Sequence, residues 1–305
     1  MGTCVPSEIL GRSGYLENKQ SSIETLSLIT GGSCGENLEG ECPVDLSAFR
    51  SLRGISWVNL RSAEDFEALG GVLHSNSAHL TELRLDFVDW SEADDFWFMD
   101  RGQFEGDRSE NFFVRDILKL SVGEVVVKFP ALETLFLREV SFASAAPEML
   151  YAFNLSRLRS LTLRNCPDSE DFLRGVIELG QPIRLISLEV LGSKYDFDIS
   201  EAISTFLGAF EGLESLYVVH TEPAYTIEFW RSIIHHKSTL TRFAYHQRLI
   251  DLDIDSFYFE KEFDLSNLSL SSEDVAELRE NPLHHPFQEF SLECIGLSCN
   301  TYYLV

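Results

Sequence analysis

One spacing of apolar residues recurs along this chain and constrains its fold more than any other feature. The spacing is apolar-x-x-apolar-x-apolar, as in "LETLFL" at 132–137. Other copies of this strand motif begin at residues 23, 52, 80, 158, 185, 213, 240 and 287. Successive copies start 29, 28, 52, 26, 27, 28, 27 and 47 residues apart, so most intervals are 26–29 residues. So even a spacing predicts a repeated structural unit rather than one buried strand of an ordinary domain.

The segments between the copies have the pattern of amphipathic helices. Residues 62–79 open with a serine and acidic residues, as helix N-termini do, and continue with apolar residues at spacings of three and four. Residues 169–180, 200–212 and 226–238 repeat this arrangement. Strand–helix units of this length are expected to stack into an α/β solenoid, with a curved parallel sheet on the concave face and helices outside. A doubly wound α/β sheet is the competing interpretation, but it does not require the same strand motif each time.

The chain resembles leucine-rich repeat proteins in their longer, helix-bearing, ribonuclease-inhibitor-like form. The resemblance covers residues 21–247, and residues 285–305 would hold the last repeat. The asparagine that usually follows the strand in that family is irregular here, with Asn165 as one candidate. The irregular, Phe-rich repeats also resemble the repeat region of fungal-type F-box proteins. "VPSEIL" at 5–10 is superficially like the start of an F-box, but the first repeat at Ile23 leaves no room for that domain.

Several segments fall outside the regular repeat. Residues 1–20 form a lead-in, and residues 248–284 are an irregular insertion or a degenerate repeat. An insertion at about 89–110 is rich in acids and aromatics, including Phe96 and Trp97. These aromatics either contact a partner or fold back onto the edge of the solenoid. We expect the last repeat to be uncapped or truncated, and hence aggregation or dimerisation unless a C-terminal extension is restored.

Charge and composition limit the kinds of partner that we expect. The chain has 24 Lys and Arg against 49 Asp and Glu, giving a formal net charge of −25. A chain this acidic repels nucleic acid and anionic lipid, because binding either depends on cationic side chains. We therefore expect neither as a partner. The sequence contains no apolar run of membrane-spanning length and no secretory signal, and its six cysteines form no CxxC pair. Free thiols in the cytoplasm or nucleus are the expectation.

The sequence gives little indication of catalysis or metal binding. It contains no HExxH, Walker or GxGxxG element, and the GxSxG spacing occurs only in the glycine-rich stretch at 31–35. "DLDID" at 251–255 lacks the glycine and the glutamate that a calcium-binding EF-hand loop requires. "GGSCG" at 31–35 is explained by a turn after a strand. We expect no catalytic residue, no metal site and no cofactor, so an enzyme is the least favoured class.

The residues between the motif leucines are the candidates for binding. Alternate residues of a strand point to opposite sides, so these residues should face outward from the concave surface. Arg138 and Arg164 occupy the same position in successive repeats, which predicts a separation of about 5 Å across the sheet. An acid such as Glu139 or Asp86, or an anionic ligand, must then compensate their charge. The predicted partner-binding residues are Arg84, Phe136, Arg138, Arg164 and Tyr217 on the strands, with Phe96 and Trp97 in the first insertion.

Arginine beside aromatic side chains is typical of protein–protein hot spots, although these arginines could also merely balance local acids. The predicted function is non-catalytic recognition of a protein partner of unknown identity through the concave face. The alternative is the substrate-binding part of an F-box-type ubiquitin ligase adaptor that lacks its recruiting domain. Ubiquitin ligase components would then be among the partners.

Overall fold

A computed structural model describes the chain in the following segments, and all structural statements below refer to them: residues 7–11, 14–20, 22–30, 44–60, 63–87, 113–121, 123, 125–142, 146–192, 199–220, 227–247, 276, 279–280 and 290–298. The chain divides into a first unit, Met1–Leu158, and a second unit, Arg159–Val305. Strands alternate with helices in both units.

The first unit contains four parallel strands in sequential order. They are β1 (Thr25–Ile29), β2 (Gly54–Leu60), β3 (Glu82–Phe87) and β4 (Thr134–Arg138). Its helices are α1 (Ser7–Leu10), α2 (Tyr15–Lys19), α3 (Ala63–Asn76) and α4 (Ala146–Ala152), with a π-helical turn at Phe113–Ile117. Helix α3 packs against the π-helical turn.

The second unit contains five parallel strands, again in sequential order. They are β5 (Ser160–Arg164), β6 (Ser187–Leu191), β7 (Ser215–His220), β8 (Arg242–Gln247) and β9 (Cys294–Ser298). Its helices are α5 (Ser169–Glu178), α6 (Ile199–Gly208) and α7 (Ile227–Ile234), and α5 packs against α6 as α6 packs against α7. A doubly wound sheet would reverse its strand order at a switch point. Neither unit shows such a reversal, so the competing interpretation is not supported.

One backbone hydrogen-bond arrangement is repeated where strands begin. The carbonyl oxygen of Glu24 accepts the N–H groups of both Arg53 and Gly54, at 2.6 and 3.0 Å. In the second unit, the carbonyl oxygen of Glu214 accepts two successive N–H groups from Thr241 and Arg242 in the same way. Equivalent pairs join the other described neighbours within each unit. The repeated spacing in the sequence therefore corresponds to a repeated backbone geometry.

The core consists of the motif leucines and the apolar faces of the helices. In the first unit, Leu135 and Leu137 of β4 are fully buried. In the second unit, Phe206 of α6 and Trp230 of α7 are buried. Helices α3, α5 and α7 lie within the segments for which the sequence predicts them, and α6 begins one residue before its predicted segment. Helices α1, α2 and α4 lie outside those segments. Their apolar residues recur at helical spacing, because one face of each helix must be withdrawn from water.

The last strand lies at a position different from the predicted one. The sequence pattern places it at 287–292, whereas β9 is Cys294–Ser298 and its Cys294 pairs with Arg242 of β8. The spacing Leu292-x-x-Ile295-x-Leu297 matches the strand motif as well as the predicted copy does. Backbone pairing with β8 selects this second match, so the predicted position of the ninth strand is wrong.

Candidate functional site

Side chains on the strands alternate between a buried and an exposed side. In β4, Leu135 and Leu137 are buried, whereas Phe136 and Arg138 are partly exposed. The same alternation holds in β1, β3 and β6. The residues between the motif leucines therefore face outward on these strands, as the sequence predicts.

Val219 of β7 departs from this alternation. It occupies an outward position but is only 1% exposed. Its Cα partners on the neighbouring strands are Leu191 and His246, which are both half-buried. Three sizeable side chains thus stand side by side in one row, so the middle one is covered.

Three of the predicted binding residues lie next to one another in the first unit. Arg84 of β3 is in register with Phe136 of β4, and Asp86 of β3 is in register with Arg138 of β4. Arg138 Nη1 donates to Asp86 Oδ2 at 3.5 Å, and Arg84 Nε donates to Glu82 Oε1 on the same strand. We call Arg84, Phe136 and Arg138, together with these two acids, the β3–β4 cluster.

The acids of the β3–β4 cluster compensate the two arginines. The Asp86 side chain is 16% exposed and that of Arg138 is 41% exposed. An ion pair with this much access to water contributes only about 0–1 kcal/mol to stability, because the solvent screens it. The pair therefore does more to orient the guanidinium group than to hold the strands together. Asp86 is one of the two acids that the sequence proposed as compensation for Arg138.

Arg164 and Tyr217 belong to a second cluster, in the second unit. Arg164 of β5 approaches Glu189 Oε1 of β6 with Nη2 at 2.6 Å and Nε at 2.7 Å. Glu189 is in register with Tyr217 of β7, which is 39% exposed. We call Arg164, Glu189 and Tyr217 the β5–β7 cluster. The sequence analysis did not nominate Glu189, although its outward position between two nominated residues was a usable signal.

The row that contains Tyr217 continues with small residues. Ala244 of β8 is in register with Tyr217, and Gly296 of β9 is in register with Ala244. Neither residue has a side chain long enough to cover a neighbouring phenol ring. One side of Tyr217 is consequently left open to solvent, beside the charged pair on its other side.

Two predictions about the site are not tested by these clusters. Arg138 lies in the first unit and Arg164 in the second, each with an acid of its own, and their predicted separation stays a prediction. Phe96 and Trp97 lie outside the described residues, and their role in binding also stays a prediction.

The described residues contain few groups with unusual acid–base properties. Burial raises the pKa of Glu170 in α5 and lowers the pKa of His236, just after α7, to about 4. Neither group belongs to a strand. Within the described segments, no three His, Cys, Asp or Glu side chains are grouped so that they could hold a metal ion. No helix in the described part of the chain has the length and apolar character needed to cross a membrane.

No protein-family model matches this chain, and a comparison with curated proteins gives no match either. The structure itself defines a class: an α/β protein of repeat-like architecture, in which parallel strands alternate with helices and present charged and aromatic side chains on one side.

Proposed function

We propose that this chain is a non-catalytic protein-recognition module of the leucine-rich repeat type. It would hold a protein partner against the outward residues of its strands. The observation that carries the proposal is the placement of arginine and aromatic side chains together on paired strands, in the β3–β4 cluster and again in the β5–β7 cluster.

The repeat type is supported by more than the strand motif. Leucine-rich repeats have an asparagine or a cysteine three residues after the last motif leucine. In the repeat that begins at Leu158 this residue is Cys166, which is 1% exposed and whose Sγ lies 3.4 Å from the Arg164 carbonyl oxygen. Asn165, the candidate from the sequence, is half-buried with a φ of 50°. Cys166 is therefore the better match to the family position.

Recognition is supported by the chemistry of both clusters. Phe136 and Tyr217 offer aromatic surface on a rigid backbone, so little conformational entropy is lost when a partner covers them. The arginines are held in direction by Asp86 and Glu189 and keep 41% exposure each. A partner can therefore bind the guanidinium groups without first ordering them. The net charge of −25 favours encounter with a partner of opposite charge.

The test is an affinity capture with paired charge-reversal variants. The test variant is Arg138→Glu with Arg164→Glu. The control is Arg53→Glu with Arg159→Glu, which changes the net charge equally at exposed arginines outside both clusters. Arg53 also faces an acid, Glu24, at 3.9 Å, so the control matches one of the two like-charge contacts that the test variant creates.

We expect partners of the wild type to be lost with the test variant and retained with the control. Circular dichroism must first show that both variants are folded. If folded test variant and wild type capture the same proteins, the arginine-centred site is wrong. If the two variants lose the same partners, the net charge rather than the clusters governs capture. Ubiquitin ligase components among the specific partners would favour the adaptor alternative, and a cytoplasmic or nuclear location stays a prediction.

A further inference from the structure

Two buried polar side chains occupy equivalent positions in the two units. Asn76 lies four residues before Leu80, and His236 lies four residues before Leu240. Leu80 and Leu240 are each the first residue of a strand motif. Both polar side chains are 0% exposed. A buried polar group must find hydrogen-bond partners, and both side chains do.

Asn76 joins the end of α3 to the segment that precedes β2. Its Oδ1 accepts the N–H of Leu52 at 2.9 Å, and Leu52 is the first residue of the preceding strand motif. Its Nδ2 donates to the carbonyl oxygens of Phe49 and Val72 at 2.7 and 2.8 Å. The amide therefore fixes the start of one repeat to the helix that follows it.

His236 makes the same connection in the second unit. Its Nδ1 accepts the N–H of Leu213 at 3.4 Å, and Leu213 is likewise the first residue of the preceding strand motif. Its Nε2 lies 3.0 Å from the carbonyl oxygen of Leu207. A backbone N–H can only donate and a carbonyl can only accept, so Nδ1 is unprotonated and Nε2 carries the hydrogen. The two partners together require the neutral imidazole.

The two connections differ in their response to acid. The amide of Asn76 does not titrate, and Nε2 of His79 donates to its Oδ1 at 3.2 Å. A second proton on His236, by contrast, would sit on Nδ1 and face the N–H of Leu213. That N–H would then be a buried donor without an acceptor, which is costly.

Among the described residues, the ionisable groups that act on the ring are His235 and Glu211, and the ring of Phe210 lies 5.0 Å away between centroids. Burial is the main reason that the pKa of His236 falls to about 4. The Leu207 carbonyl and Glu211 oppose the fall, and His235 adds to it. Both the hydrogen-bond geometry and the burial therefore favour the neutral ring.

We propose that His236 is an acid-sensitive side-chain cap, which ties the end of α7 to the start of the β7 repeat only while its imidazole is neutral. Asn76 is its acid-insensitive counterpart in the first unit. This proposal concerns the stability of the second unit and does not depend on the proposed binding function.

The direction of the pH effect follows from proton binding. When the cap opens, the ring returns to an ordinary pKa of 6.5, so the open form binds more protons than the closed form between about pH 4 and 6.5. Opening therefore becomes easier as the pH falls through this window. From the two pKa values, the opening equilibrium should rise about 20-fold between pH 7 and pH 5.

Amide hydrogen exchange on the full chain measures this opening directly. Exchange of the peptide that contains Leu213 is compared at pH 7 and pH 5, after correction for the intrinsic exchange rate. In the wild type we expect its protection to fall about 20-fold. His236→Asn, which copies Asn76, should remove this dependence while keeping the protection at pH 7. The reciprocal Asn76→His should create the dependence at Leu52.

The proposal is overturned if protection at Leu213 in the wild type is the same at both pH values, or if His236→Asn keeps the full pH dependence. A measurement without any variant guards against misfolding of the variants. The imidazole nitrogen chemical shifts of His236 at pH 7 should show Nε2 protonated and Nδ1 bare. A proton on Nδ1 at pH 7 would contradict the cap.

Discussion

Two adjacent glycines in α3 give a sharp test of the packing in the first unit. Gly70 is buried and Gly71 is exposed, although they are neighbours in one helix. A Cβ atom at Gly70 would lie 2.6 Å from the carbonyl oxygen of Asp116 and 2.8 Å from Cε of Lys119. A Cβ atom at Gly71 would meet nothing within 4 Å. Replacement by alanine therefore changes the helix propensity equally at both positions, but it creates a steric clash only at Gly70.

The expected magnitudes follow from two opposing effects. Alanine favours a helix interior over glycine by about 0.5–1 kcal/mol, because glycine loses more backbone freedom on folding. Gly71→Ala should therefore raise the free energy of unfolding by that amount. At Gly70, the π-helical turn would have to move by about 0.9 Å to restore a contact of about 3.5 Å. Overpacking of this kind costs about 1–3 kcal/mol. The free energy of unfolding of Gly70→Ala should therefore be lower than that of Gly71→Ala by about 1–3 kcal/mol.

Urea unfolding followed by far-ultraviolet circular dichroism measures the contrast. The two variants and the wild type should show similar slopes of free energy against urea, so that the midpoints can be compared. If Gly70→Ala is stabilised as much as Gly71→Ala, the close approach of α3 to the carbonyl of Asp116 does not exist. The reasoning about this contact would then be refuted.

Two further substitutions test the core and the outward face of the strands. Leu161→Ala truncates a motif leucine that is 1% exposed, so it should lower the free energy of unfolding, measured with urea, by about 2–5 kcal/mol. The control Ser160→Ala, beside it, should change that free energy by no more than about 0.5 kcal/mol. Arg138→Gln should change the unfolding free energy by no more than about 1 kcal/mol, because the ion pair with Asp86 is solvent-accessible. A larger loss for Arg138→Gln would show that this pair is structural.

The repeated strands were predictable because burial leaves a regular trace in the sequence. Leu135 and Leu137 are two residues apart, as a strand with one buried side requires, and Leu132 lies just before β4; all three are 0% exposed. Neighbouring copies must present the same buried side to stack, so the same spacing returns along the chain. The helices were predictable for a similar reason, since each withdraws one apolar face from water.

The ninth strand was misplaced because two overlapping stretches satisfy the same pattern. Apolar spacing identifies a strand but does not say which carbonyl accepts its first N–H groups. The carbonyl oxygen of Thr241 accepts the N–H groups of Glu293 and Cys294, and this selects the second stretch. A signal was present in the sequence, because the strand motif then starts 52 residues after Leu240, just as Leu132 follows Leu80.

His236 was missed because its role depends on hydrogen bonds that no spacing of apolar residues reveals. As a histidine at the end of an amphipathic helix it resembles a surface residue. Only a comparison with Asn76, four residues before the equivalent motif leucine, shows that the position must accept one N–H and donate to one carbonyl. Asparagine and neutral histidine both satisfy this requirement, whereas protonated histidine does not.

The arginine pairs show why the position of a binding residue is easier to predict than its chemistry. Arg138 and Arg164 hold the same place in the strand motif, and on both strands the side chain is outward. Yet their ion-pair partners differ. Arg138 pairs with Asp86, its register partner on the preceding strand. Arg164 pairs with Glu189 on the following strand, two residues before its register partner Leu191. The motif fixes the direction of each arginine but not its partner.

This pairing also constrains what a binding partner must supply. A carboxylate on the partner would share each arginine with Asp86 or Glu189, whose charge already compensates it, so the added attraction would be small. Apolar contact with Phe136 or with the open side of Tyr217 removes surface from water without breaking any pair, at about 25 cal/mol per Å². We therefore expect the aromatic residues to supply most of the affinity and the arginines to select the orientation. Phe136→Ala and Tyr217→Ala should weaken binding more than Arg138→Gln or Arg164→Gln does.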